Sequence, residues 1–148
     1  MAVRCEHGFP QVIVSPSLLE DGTPFPTVFW LTCPALVRAV DDAESESGTD
    51  AWALRLATDV GLAERAIEAD AAYRFARTAE SGGTDACEHT GVAGMRHPLR
   101  VKCLHAHVAA YLAGTGDPMG EGVLMDVALE CDGVRCAKLA RCLKEETA

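Results

Sequence analysis

The sequence predicts an α+β fold rich in helix: a short antiparallel β ribbon near the N-terminus packed on about five helices. Two β-type runs define the ribbon, Gln11-Val12-Ile13-Val14 and Thr27-Val28-Phe29-Trp30-Leu31-Thr32. Their β-branched and aromatic residues suit a pleated, half-buried surface. From Pro34 onward the apolar residues recur at three- and four-residue spacing instead, which is the period of an amphipathic helix. A lone two-stranded ribbon is marginal in water, so the strands need those helices as cover.

Taken in order, Asp21-Gly22 marks a turn between the strands, and Pro24 and Pro26 stiffen the return. Cys33-Pro34 opens a helix that runs to about Glu46, with Leu36, Val40 and Ala43 on its apolar side. The acidic stretch Asp41, Asp42, Glu44 and Glu46 reads as a solvated face. Ser47-Gly48-Thr49-Asp50 is a break with capping residues. Trp52, Leu56 and Val60 then set a short helix that Gly61 interrupts. Leu62 to about Glu80 is a longer Ala-rich helix, with Ala66, Ala69, Tyr73 and Ala76 inward and Asp70 with Arg74 as an outward pair. A linker at 81–85 and a loop holding Cys87-Glu88-His89 follow. Val101 to Leu112 is the most apolar helical run and the expected central helix. Pro98 suits its first position, Leu104, Val108, Tyr111 and Leu112 form its stripe, and Gly114 stops it. A turn-rich loop at 114–120 precedes a helix from Glu121 to about Glu130. Ala137 to Glu145 is a last basic, amphipathic turn or two that carries Cys142. With no internal repeat and no linker between domains, residues 1–148 are expected to form a single domain.

Composition narrows the function. The 148 residues are 49% hydrophobic and 24% charged, the balance of a globular rather than a disordered chain. A formal net charge of -9 argues against nucleic acid as a general partner, because phosphate contacts need a basic face. It argues equally against an anionic membrane surface. No run approaches the roughly 20 apolar residues of a membrane helix. Met1 to Gly8 contains no apolar signal core, so a cytoplasmic location is expected. Seven cysteines in that compartment are not expected as disulfides, and an odd number cannot pair fully. Metal binding, catalysis and plain burial remain open.

Cysteine and histidine recur together as Cys5/His7, Cys87/His89 and Cys103/His105. None has the Cys-x-x-Cys knuckle of a zinc finger. A cysteine phosphatase loop needs five residues between Cys and Arg, and Cys33 to Arg38 and Cys136 to Arg141 have four. No phosphate-binding loop and no dinucleotide glycine motif is present. On the central helix Cys103 and His107 share a face, whereas Cys103 and His105 can reach one point only near the helix start. Arg96, Arg100 and Lys102 surround that start, and positive charge there favours thiolate. A Cys-His nucleophile from Cys103 or Cys33 with His105 or His107 is therefore a second possibility. A non-catalytic interaction module with buried free cysteines is a third.

Arg4-Cys5 through Gly8 and Pro10, Asp21-Gly22-Thr23-Pro24-Phe25-Pro26-Thr27, Leu31-Thr32-Cys33-Pro34, Val101-Lys102-Cys103-Leu104-His105, and Asp117-Pro118 with Gly120 occur in the order seen in the bacterial domain-of-unknown-function 501 family. The resemblance covers nearly the whole chain and implies no stated activity. It implies that some members carry His at the position of Cys33, an exchange that suits a metal ligand, since zinc takes both. His7, Cys87, His89 and His107 fall outside the pattern. The leading expectation is a small cytoplasmic metal-binding protein with one site built from Cys5, Cys33, Cys103 and His105. His107, Cys131 and Cys136 stand in reserve. Zinc is the expected ion and an iron–sulfur cluster the alternative. An antiparallel ribbon supports this set, because it lays the start of its first strand, with Cys5, beside the end of its second, with Cys33.

Overall fold

The computed structural model describes residues 3–129 and 131–146, with side chains described through residue 141. Strands β2 (Pro10–Val14) and β3 (Phe29–Leu31) form the expected antiparallel ribbon, with Val12 opposite Leu31 and Val14 opposite Phe29. A further strand, β1 (Val3–Arg4), pairs antiparallel with β2 and makes the sheet three-stranded, in the order β1-β2-β3. Two residues are too few to show an alternating pattern, so this strand leaves no periodic signal in the sequence. Cys5 and Gly8 close the tight turn between β1 and β2: Gly8 N donates to Cys5 O, and Cys5 N to Phe9 O, both at 2.9 Å. Across the ribbon, Val12 and Phe29 face inward, and Val28 just before β3 has no exposed surface. Trp30 lies on the outer side, stacked on Phe25 with ring centroids 5.5 Å apart.

The helices are α1 (Pro34–Ser45), α2 (Gly48–Thr58), α3 (Val60–Glu80), α4 (Leu104–Leu112), α5 (Pro118–Asp126) and α6 (Val134–Glu146). Their caps explain where the boundaries differ from the sequence reading. The long helix begins at Val60 rather than after Gly61, because the Asp59 carboxylate accepts from Leu62 N and starts it there. The central helix begins at Leu104: Cys103 is its N-cap, with extended backbone at φ -149°, and residues 98–103 are irregular. The expected loop at 114–120 is half helix. Asp117 accepts from Met119 N and Gly120 N, and Pro118 fills the first helical position of α5. The helix expected to reach Glu130 stops at Asp126, and Glu130 itself lies outside the described residues.

Helix α4 sits between the sheet, α1 and α5 and closes the core. Leu104 and Val108 are fully buried in an apolar cluster with Val40, Trp52, Leu56, Met119 and Val123. Burial of each such side chain is worth about 1.5–3 kcal/mol. Ala109 and Ala110, on the opposite side of the helix, meet Val12, Val28, Phe29 and Tyr73 in a second cluster.

Helix α3 fastens the loops. Tyr73 Oη accepts from Val28 N at 3.1 Å and lies 3.2 Å from Pro26 O. Arg77 has no exposed surface. It pairs with Asp85 at 2.8 Å and donates to the carbonyls of Pro26, Cys87 and Thr90. Asp70, expected to face outward, is 7% exposed. Gly91 packs directly on its carboxylate, where a Cβ would overlap the oxygens, so the loop can cover it.

Candidate metal centre

The residues expected to act together divide between the two ends of α1. Cys33 is the N-cap of α1, and Glu44 lies in its last turn, eleven residues on. At a rise of 1.5 Å per residue they are separated by about 16 Å along the axis. Cys103 and His105, at the start of α4, come to the Glu44 end. Cys5 and Cys33 line a different recess at the opposite end, together with Cys131.

At the Glu44 end, one ligand atom each from Glu44, Cys103 and His105 lie within 4.8 Å of one another. Among the described residues this group of carboxylate, thiol and imidazole could hold a metal ion. His105 Nδ1 is 3.8 Å from Cys103 Sγ and 3.4 Å from Glu44 Oε1. The reach is possible because Cys103 is extended rather than helical, which swings its side chain to the side of His105. Glu44 Oε1 also accepts from Leu104 N, so the carboxylate caps α4 while it faces the thiol. The other ring nitrogen of His105, Nε2, faces Val37 O at 3.2 Å and Asp41 Oδ1 at 3.1 Å. Both are acceptors, so they hold the ring from its Nε2 side and turn Nδ1 toward the thiol and the carboxylate.

Burial pushes the Cys103 thiol up, and the facing Glu44 carboxylate adds to this; the Ala106 amide opposes them. The expectation that nearby Arg and Lys favour a thiolate is thus not met, since burial dominates and Glu44 adds to it. Beside Cys103 and His105 lies a largely apolar recess of about 260 Å³, walled by Phe29, Trp30, Leu31 and Ala93. Ala93 holds a left-handed backbone, φ 55°, in the turn Val92–Gly94.

Glu44 and Asp41 were hidden by their neighbourhood. In a run of four acids they read as a solvated face, and only their three-residue spacing, which puts both on one side of α1, hints that they act together. His107 takes no part. It is buried, with Nδ1 at 2.7 Å from Asp117 Oδ2. Its Nε2 has no hydrogen-bond partner among the described residues and faces a narrow cleft lined by Asp70, His97 and Arg100. Cys87 lies in the loop that Arg77 holds, and His89 is exposed beside Glu88. Cys5, Cys33, Cys87, Cys103, Cys131 and Cys136 are free thiols, and the side chain of Cys142 lies outside the described residues.

Fold and site together define a small helix-rich α+β protein with a three-residue candidate cation site at the foot of its central helix. The chain matches the model of a family described as proteins of unknown function (DUF501) over residues 1–125, and it belongs to that family. No curated protein and no solved structure matches it. No described helix is long and apolar enough to cross a membrane.

Proposed function

We propose that this protein is a small cytoplasmic metal-binding protein that holds zinc on the Glu44 carboxylate, the Cys103 thiolate and His105 Nδ1. The observation that carries the reading is the orientation of the His105 ring. Asp41 Oδ1 and the Val37 carbonyl flank Nε2 at 3.1 and 3.2 Å and turn Nδ1 toward Cys103 and Glu44, the kind of support from a carboxylate and a carbonyl that orients a zinc-bound histidine. Mixed oxygen, nitrogen and sulfur donors suit zinc, whereas an iron–sulfur cluster is held by thiolates. Three protein ligands leave a fourth position for water or a small ligand, as in zinc sites that act on a substrate. The apolar recess beside Cys103 and His105 gives such a ligand a place to lie.

Zinc content measured on the purified, untagged chain tests this. Cys103→Ser and His105→Ala are each expected to hold about one zinc fewer per chain than the wild type, since ligand loss removes the site. Zinc content unchanged in both, with the proteins folded, sinks the reading.

A second reading rests on the contact between Cys103 Sγ and His105 Nδ1, which is the pairing of a nucleophilic thiol with its base. Burial and Glu44 weigh against it by keeping the sulfur protonated. It requires Cys103 to alkylate far faster than the remaining thiols at neutral pH in metal-free protein. The metal reading expects Cys103 to be slow.

A further inference from the structure

The structure brings Cys5, Cys33, Cys131 and Cys136, from three separate parts of the chain, around one place. Two adjoining recesses meet there. Cys33 and Cys131 line both; Cys136 borders one and Cys5 the other. The C-terminal segment is tied to the spot through the N-terminal hairpin. His7 Nε2 lies 3.0 Å from Cys131 O, and Gly133 packs against the His7 ring so closely that a Cβ would touch it.

Two helix starts also converge. Cys33 caps α1, and Cys136 is in the first turn of α6, where Asp132 accepts from Val134 N. The exposed amides of a helix N-terminus stabilise thiolates.

We propose that Cys5, Cys33, Cys131 and Cys136 form a second metal centre, a four-thiolate site for a soft divalent ion, completed when Cys131 and Cys136 draw in toward Cys5 and Cys33. Binding of the ion displaces four thiol protons to solvent and forms four metal–sulfur bonds, with no change of oxidation state. Apart from the Glu44 group, no three candidate ligand atoms among the described residues lie within 4.8 Å of one another, so the metal-free thiols stand wider than in a loaded site. Zinc–sulfur bonds of about 2.3 Å in a tetrahedron draw sulfurs to roughly 3.5–4 Å. Between Cys131 and Cys136 lies Gly133 at φ 73°, a backbone state that glycine adopts freely. Cys5 and Cys33 lie within the residues matched by the family model, 1–125, and Cys131 and Cys136 beyond them, so the C-terminal part of the chain supplies half of the centre.

The proposal is independent of the Glu44 site, and one experiment separates them. Reduced, metal-free full-length protein is mixed with zinc chloride and pulse-alkylated, and each cysteine is read by mass spectrometry. Cys33 is buried, so the reading is made on the more exposed Cys5, Cys131 and Cys136. Zinc is expected to abolish most of their reactivity together. Cys136→Ser should return Cys5 and Cys131 to their metal-free rates while Cys103 remains protected. His105→Ala should expose Cys103 alone. Circular dichroism establishes that both variants are folded. Three thiols indifferent to zinc would overturn the proposal. So would protection of Cys5 and Cys131 that survives Cys136→Ser, or exposure of all the thiols by His105→Ala, which would mean one shared site.

Discussion

Arg77 is buried without exposed surface and satisfied from four directions, by Asp85 and by the carbonyls of Pro26, Cys87 and Thr90. Removing one partner of such a pair leaves the other charge uncompensated in the interior. Arg77→Met is therefore expected to lower unfolding stability by about 3–5 kcal/mol, measured by denaturant titration. Loss of under 1 kcal/mol would show that the guanidinium is replaceable by apolar packing. The sequence hides this role, because an arginine in an Ala-rich helix looks like a solvated one. Gly91 is equally opaque in the sequence: a glycine in a loop does not announce that it lies on the Asp70 carboxylate. Cys103 and His105 were legible as a candidate pair from their types and their place at the start of the most apolar helix. Their third member, Glu44, was not, since it comes from a helix 60 residues earlier in the chain, and only the docking of α1 on α4 brings it close.

Elements here are set by their ends and their contacts. Helix α5 approaches α4 through Gly120, where a Cβ would overlap the His107 carbonyl and the Tyr111 side chain. Gly120→Ala must push two helix backbones apart. It is expected to cost about 1–3 kcal/mol, the range for overpacking a filled interior, and thermal denaturation will read the loss. Helix α3 grips the strand entering the sheet through Tyr73, whose hydroxyl is pushed above its ordinary value of 10.0 chiefly by burial. Above about pH 10 the unfolded chain gives up this proton while the native state keeps it, so raising the pH favours unfolding. The stabilisation is complete below pH 10 and is lost as pH climbs toward the native value. Tyr73→Phe leaves Val28 N without its acceptor and should cost about 1–3 kcal/mol at neutral pH. Its stability should nonetheless fall less steeply than that of the wild type above pH 10. An equal slope would assign the alkaline loss to other groups. The ribbon and the long helices were readable because their periods of 2 and 3.6 span several repeats. Strand β1, the start of α4 and the start of α5 were not, because each is decided by one or two residues acting as a cap or a pairing partner.

For the whole molecule, the α+β class follows from those periods, and the core follows from the apolar stripe of α4, which has the sheet on one side and α1 and α5 on the others. What the sequence could not convey is how the parts are tied, since the ties are polar and join residues far apart. The clasp at Arg77 has a kinetic consequence. The loop from Asp85 to Thr90 contains no helix or strand and is partly exposed, and such a loop ordinarily trades its amide hydrogens with water within moments. Here it cannot lift away without stranding a charge inside the protein. Local opening is therefore expected to be costly for it, and passage through the unfolded chain its main route of release. In deuterium exchange, the amides of Cys87, Thr90 and Gly91, each hydrogen-bonded within this loop or to its neighbour, are expected to exchange as slowly as those of α4. They should speed up together, ahead of α4, when Arg77 is replaced.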